Sequence, residues 1–287
     1  MTLLFDTIKL DTILLNYSKG GDLLTDIISK EGIYASLSKI SKNKFNITVL
    51  EKTESTNLLL KSMALNGAEE GSVVVAGEQT AGIGRMGRSF FSPGNTGIYI
   101  SILLKPDINP GKSVLITTAA AVAVCRALEK NGVTNTGIKW VNDIYIDGKK
   151  ICGILTQGSI DPRSNKLNFA ILGIGINVYR PENDFPDEIK NIADAVFKEK
   201  KENIRNRLIA DILSAFYDIY SDLSKTAFID EYISKSIVIG KNVDVITASQ
   251  VKTATVLGID KNCKLHIQYD DGTESFLDSG EISIKIL

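Results

Sequence analysis

The sequence predicts an α+β domain followed by a small β-barrel, and two observations carry that reading. Between residues 46 and 233, short apolar strands alternate with two long amphipathic helices, over 111–131 and 203–224. From about Ser236 the texture changes to five or six short strands separated by turns such as 260-DKN-262 and 270-DDG-272. The chain therefore divides into an N-terminal helical segment (1–45), a main domain (46–233) and a C-terminal barrel (234–287).

Residues 1–44 are moderately helical in pattern, broken at Gly20-Gly21. The run 46-NITVLEK-52 reads as a strand. A helix follows from Thr56 to Asn66 and closes at Gly67. The run 71-GSVVVAGEQ-79 is a buried strand leading straight into 82-GIGRMGR-88, and 97-GIYISILLK-105 is a further strand. Helix 111–131 carries Val114, Leu115, Ala119, Val122, Ala123 and Leu128 on one stripe and stops before Gly132. Strands are predicted over 136–140, 150–157 and 167–178, and Asp147-Gly148 predicts a hairpin between 143–146 and 150–157. Residues 180–200 read as loop with short helical pieces. Helix 203–224 has Ile204, Leu208, Ile212, Phe216, Ile219 and Leu223 at helical spacing. The barrel strands are 237–240, 243–246, 251–259, 263–269, 273–277 and 282–286.

Charge is nearly balanced, 33 Lys+Arg against 34 Asp+Glu, which gives no protein-wide attraction to nucleic acid or an anionic membrane. Apolar runs such as 113-SVLITTAAAVAV-124 are shorter than a bilayer span, and no signal sequence is recognised, so the expectation is a cytoplasmic protein without a membrane partner. Three cysteines without a CxxC pair argue against a disulfide framework or a zinc site. The single histidine, His266, sits in a strand pattern, which argues against Ser-His-Asp and histidine–metal chemistry.

Four motifs carry candidate chemistry. In 82-GIGRMGR-88, glycines can expose backbone N–H groups to an anion and arginines can grip phosphate or carboxylate; the same composition also marks a plain exposed loop. It fits neither the phosphate-binding P-loop nor the dinucleotide fingerprint. In 53-TESTNLLLK-61, Ser55, Thr56 and Asn57 suit a helix cap, which needs only one of them. In 138-IKWVNDIYIDGKKICGIL-155, Lys139, Asn142, Asp143 and Lys150 combine cations with a carboxylate; solvated edge lysines and a turn-capping Asp remain the alternative. In 172-LGIGINV-178, two glycines in an apolar strand suggest a bulge or a close backbone approach, and Asn177 needs partners if buried.

Taken in order, ESTN, EQTAGIGRMGR, KWVNDI, GKKICGIL and GIGIN resemble the biotin protein ligase family, whose loop reads GRGRxGR and whose next block is KWPND. The likeness runs from about Leu50 to the C-terminus, where 280-GEISI-284 resembles the end of that family's last domain. It implies a class II synthetase-like catalytic domain, a mixed sheet with helices, and an SH3-like barrel. It also implies that Ser55, Thr56, Asn57 and Gln79 line the biotin ring pocket. Gly82, Ile83, Gly84 and Arg85 would form the loop over the biotin carboxylate and adenylate, with Lys150 and Gly153 also on biotin. Lys139, Asn142 and Asp143 would lie near phosphates and metal, Asp143 being the metal candidate, and Gly173, Gly175 and Asn177 near the nucleotide. Arg85, Arg88 and Lys150 would serve catalysis. Two departures stand out: Ile83 replaces the first arginine of the loop, and Val141 replaces the proline of the next block.

The implied activity uses ATP and Mg2+ to form biotinyl-5′-adenylate, then biotinylates a lysine of a biotin carboxyl carrier protein of acetyl-CoA carboxylase or another biotin-dependent carboxylase. Rival readings are a lipoate or octanoate ligase on the same fold and an added biotin-sensing repressor. Residues 1–30 hold only Lys9, Lys19 and Lys30 as basic residues, so specific DNA binding is not expected. A homodimer is left open.

Overall fold

The computed structural model describes residues 26–247, 250–278 and 283–286. The helical reading of residues 1–25, with its break at Gly20-Gly21, lies outside the described residues, as do residues 280–282 of the closing motif. Of the remaining N-terminal segment, only α1 (Lys30–Ser36) is α-helical; its cap, Ser29 Oγ, accepts the Gly32 N–H at 3.1 Å.

Seven strands form one mixed sheet: β1 (Asn46–Leu50), β2 (Ser72–Ala76), β3 (Gly97–Leu104), β4 (Gly137–Lys139), β5 (Asp143–Ile146), β6 (Lys149–Asp161) and β7 (Lys166–Asn177). Their spatial order is β1-β2-β3-β7-β6-β5-β4; β1 and β2 run parallel and every other pair is antiparallel. Strands β2 and β3 are buried at every position because both faces of the sheet are covered. Alternate residues divide the two faces. Val73, Val75, Ile98, Ile100 and Ile102 enter the main core with helices α3 (Val114–Lys130) and α4 (Ile204–Tyr220). Val74 and Leu103 point the other way, to Leu60 on helix α2 (Thr56–Leu65).

The predicted hairpin forms at Asp147-Gly148, both residues taking the positive φ that this turn needs (49° and 76°). Its second strand is longer than expected: β6 runs on to Asp161 and pairs with β7 along its length. Residues 180–200 make turns and isolated bridges, with no helical piece. The second long helix ends at Tyr220, and a separate helix, α5 (Ala227–Ser234), follows.

The C-terminal domain is a five-stranded antiparallel sheet of β8 (Asn242–Ile246), β9 (Val251–Ile259), β10 (Leu265–Tyr269), β11 (Glu274–Leu277) and β12 (Ser283–Ile286), in the order β11-β10-β9-β8-β12. Residues 237–240, expected as a strand, are turns; Ser236 instead bridges to Ile138 of β4. One continuous apolar core runs through both sheets. Trp140 Nε1 donates to the Cys263 carbonyl at 2.9 Å across their boundary. Residues 110–130 are long and apolar enough to cross a membrane by length and composition, which the shorter apolar run in the sequence conceals. Twelve residues of α3 are buried within the core, and that burial accounts for its apolarity. His266 lies on the C-terminal sheet, stacked on Phe276 with Nε2 2.8 Å from Glu274 Oε2.

Candidate active site

A cavity of about 800 Å3 opens on the α2 face of the main sheet. It is walled by the start of α2, the 82–88 loop, β5 to β7 and parts of the C-terminal sheet. Ser55 is the cap of α2, its Oγ accepting the Leu58 N–H at 3.5 Å, which leaves Thr56 and Asn57 to turn inward. Both are almost fully buried and hydrogen-bonded. Gln79 Oε1 accepts from Thr56 N at 2.9 Å and Thr56 Oγ1 at 3.0 Å, while Gln79 Nε2 donates to Ser92 Oγ at 3.0 Å.

The floor is bare backbone. Gly153 of β6 and Gly175 of β7 are directly paired. The ring of Phe90 sits over them: a Cβ at Gly175 would meet it at 2.5 Å, and one at Gly153 at 3.1 Å. The glycines are there because an aromatic ring needs the space above them. Phe90 also packs edge-on against Tyr99.

The glycine-arginine loop is a pinched hairpin rather than an open flexible turn. Ile83 bridges to Ser89, Gly84 N donates to the Arg88 carbonyl at 2.7 Å, and Arg85–Gly87 form a single 3-10 turn. Met86 and Gly87 both carry positive φ (56° and 74°), which reverses the chain at its tip.

Five cations border the cavity: Arg85, Arg88, Lys139 and Lys150 on its main-sheet side, and the exposed Lys285 on its C-terminal side. Asp143 is the only acidic side chain among the described lining residues. Lys150 Nζ lies 2.7 Å from Asp143 Oδ1, and Arg85 Nη1 donates to Asn142 Oδ1 at 3.0 Å. Burial holds Arg85 and Lys139 below their ordinary pKa values, against the opposing pull of Asp143. Desolvated, crowded cations of this kind favour an anionic ligand, which would relieve both effects. The Cys152 thiol also lines the cavity, but burial raises its pKa well above the ordinary value, so it stays protonated and is no nucleophile. No cluster of three or more metal-ligating side chains exists among the described residues. Asp143 alone, already facing an ammonium, does not make a metal cage; a divalent cation here would have to bring further oxygen ligands with it.

Residues 49–177 match the Biotin/lipoate A/B protein ligase family, and residues 238–285 match the Biotin protein ligase C terminal domain. The chain is 38% identical to the bifunctional ligase/repressor BirA of Bacillus subtilis, over 78% of this chain and 69% of that protein. The chain belongs to the biotin protein ligase family. The biotin--[acetyl-CoA-carboxylase] ligase of Mycobacterium tuberculosis is 29% identical over 69% of this chain and 74% of its own length. Among solved structures, a biotin protein ligase from Aquifex aeolicus in complex with biotin and ATP superposes with a TM-score of 0.70 at 26% identity, covering 84% of this chain and 99% of that one.

The ligase brings most of the residues singled out in its sequence to one cavity. Ser55, Thr56, Asn57, Gln79, Ile83, Gly84, Arg85, Arg88, Lys139, Asn142, Asp143, Lys150, Gly153, Gly173, Gly175 and Asn177 all line it. Gly82 does not; a Cβ there would meet the Phe90 carbonyl at 2.4 Å, so Gly82 lets the loop ends close. Three residues expected near the nucleotide spend polar groups or space on the protein. Asn142 Nδ2 donates to the Ile154 carbonyl at 2.8 Å, Asn177 Nδ2 to the Asp194 carbonyl at 3.1 Å, and Gly173 makes room for Asn57. Sequence reasoning missed Phe90, whose signal was an aromatic pair directly after the glycine loop. It also missed Ile237, Ile246, Ile284, Lys285 and Ile286, the C-terminal side of the cavity. No local pattern marks these, because they reach the cavity only through domain packing.

Proposed function

We propose that this ligase activates biotin with ATP to biotinyl-5′-adenylate and transfers the biotinyl group to a lysine of a biotin carboxyl carrier protein, that of acetyl-CoA carboxylase or of another biotin-dependent carboxylase. The observation that carries this reading is the convergence of Arg85, Arg88, Lys139 and Lys150, with one carboxylate, beside a polar wall and a glycine floor. A carboxylate and a triphosphate must meet in one place, and their mutual repulsion has to be offset locally. The biotin carboxylate oxygen attacks the α-phosphorus; that P–O bond forms as the bond to the β-phosphate breaks, releasing pyrophosphate. The amine of the acceptor lysine then attacks the acyl carbon, AMP leaves, and the amine loses a proton. In this reading Lys150 and Arg85 face the reacting carboxylate and α-phosphate, Arg88 and Lys139 face the remaining phosphate charge, and Thr56, Asn57 and Gln79 hold the ring. Asp143 would give one carboxylate oxygen to a magnesium ion carried by the triphosphate, and the ion would offset phosphate charge. The 83–89 hairpin covers the mixed anhydride and keeps water from it.

The test is exchange of labelled pyrophosphate into ATP. It should require biotin and ignore lipoate, and labelled biotin should then pass to a carrier domain. Exchange driven by lipoate and not by biotin would overturn the reading in favour of a lipoate ligase.

A further inference from the structure

Ser101 lies in the middle of β3 between Ile100 and Ile102, with none of its surface exposed. A hydroxyl has no packing reason to be there. Its Oγ donates toward Asn57 Oδ1 at 2.6 Å and Thr56 Oγ1 at 2.8 Å. Its cross-strand partner on β7 is Gly173, where a Cβ would come within 2.3 Å of Asn57 Oδ1. One strand supplies the donor and the next supplies the space. At the other end of the same amide, Asn57 Nδ2 donates to Gln157 Oε1 at 3.0 Å. Thr56 and Asn57 line the cavity, whereas Ser101 and Gln157 do not.

Counting protons gives this arrangement a direction. Thr56 gives its hydroxyl proton to Gln79 Oε1. Asn57 gives an amide proton to Gln157. Ser101 has a single proton for two acceptors. Because its own proton is spent on Gln79 Oε1, Thr56 can offer a ligand only oxygen lone pairs, whichever acceptor Ser101 serves. The wall facing the ligand is therefore set to accept hydrogen bonds.

We propose that Ser101 and Gln157 are positioning residues: they fix Thr56 and Asn57 as acceptors, so that the site selects a ring bearing N–H donors, as a cyclic urea does, over a ring of similar size without them. This rests on the reading of biotin as the ligand. An unfilled acceptor opposite a ring with no donor is left unpaired on binding, and that penalty is the source of the discrimination.

The test uses the full chain with Ser101→Ala, Gln157→Leu and the double variant. Biotin dissociation constants come from calorimetry, and KM values for biotin and ATP from pyrophosphate exchange. Each single variant is expected to weaken biotin about tenfold, the size of one lost buried hydrogen bond. KM for ATP should stay within about twofold, since neither residue borders the phosphates. The double variant should be little worse than either single one, because both act through one amide. Ser101→Cys, somewhat larger but with a weak S–H donor, should fall between wild type and Ser101→Ala. Should Ser101→Ala fail to fold, Gln157→Leu and Ser101→Cys carry the same test. An unchanged biotin constant, equal rises for biotin and ATP, or fully additive losses would overturn the proposal. A wild-type chain that binds no biotin overturns both this and the proposed function; one that binds biotin while the variants bind it equally overturns only this.

Discussion

The ammonium of Lys150 lies 2.7 Å from Asp143 Oδ1 on the wall of the cavity, with the two side chains 29% and 19% exposed. The contact is ionic but lacks the alignment of a hydrogen bond, since Asp143 Oδ1 has no hydrogen-bond partner among the described residues. Asp143 thus holds the ammonium at the cavity wall by charge. That is the arrangement expected of a cation kept ready for an incoming anion.

Lys150→Ala should therefore abolish more than a surface charge. Losing a half-buried cation opposite the carboxylate or adenylate is expected to cost ~2–5 kcal/mol in transition-state binding. Biotin-dependent pyrophosphate exchange should fall by about 30-fold or more, by the same range. Melting temperature should drop modestly, because Asp143 loses its partner; adding Asp143→Asn should recover the melting temperature and not the exchange rate. Normal exchange in Lys150→Ala would return Lys150 to the role of an ordinary edge lysine.

Ile83 stands at the cavity where the family pattern has arginine, and its backbone bridges to Ser89. An arginine there adds a charge-assisted bond worth about 1.5–3 kcal/mol, set against the apolar contact that isoleucine supplies. Ile83→Arg is expected to slow release of biotinyl-adenylate several-fold while still permitting transfer. Stopped-flow measurement of that off-rate decides it, and an unchanged or faster rate rejects it.

The two floor glycines of β7 should respond differently to the same methyl group. At Gly173 it would lie 2.3 Å from Asn57 Oδ1, in a buried network that cannot move aside. Gly173→Ala should lose about 1–3 kcal/mol of stability by overpacking and weaken biotin as well. At Gly175 it meets the ring of Phe90 at 2.5 Å, carried on a loop. Gly175→Ala should keep near-normal stability and lose ligand affinity. Paired melts and titrations of the two variants separate these outcomes.

Burial raises the pKa of Cys263 to about 11 and Cys125 to about 12, from an ordinary value of 9.0, and holds Cys152 well above that ordinary value too. All three are free thiols. Above pH 9 the unfolded chain releases these protons and the folded chain keeps them, so stability should be intact below pH 9 and fall as pH rises toward the folded values. Each thiol contributes a slope of about 1.4 kcal/mol per pH unit within its window. Denaturant melts from pH 8 to 11 check the slope, and the native protein should react with a thiol reagent only on unfolding.

Asp26 and Arg205 are a buried pair, 6% and 5% exposed, with Nε 3.1 Å from Oδ2 and Tyr179 donating to the same oxygen at 2.6 Å. They pin the start of the described chain to α4. Asp26→Ala leaves a buried guanidinium unpaired and should cost about 3–5 kcal/mol; Asp26→Leu with Arg205→Met should cost clearly less. Urea midpoints of the two variants test this.

Much of this was readable in the chain. Helices α3 and α4 announce themselves by apolar residues at helical spacing and β3 by a continuous apolar run, whereas 82-GIGRMGR-88, Lys139 and Lys150 allowed a plain loop and solvated edge lysines until the order of the motifs brought in the family resemblance. Ser55 read as a cap and is one. The segment 237–240 misled, since four apolar-leaning residues fit a strand or a buried turn equally, and only the bridge from Ser236 to β4 resolves which.

By itself, then, the sequence determined the two-part architecture, the cationic loop and the family of the ligase, because each is written in local periodicity or in motifs with fixed spacing. The tertiary structure alone decided what those motifs face. It turned Gly173 into a socket for Asn57 and Gly175 into the seat of Phe90, and set Lys150 against Asp143. It also brought Ile284 and Lys285 to a cavity whose first wall is built more than two hundred residues earlier, at Ser55. Register between strands and packing between sheets are long-range, and no period along the chain encodes which residue will stand opposite which.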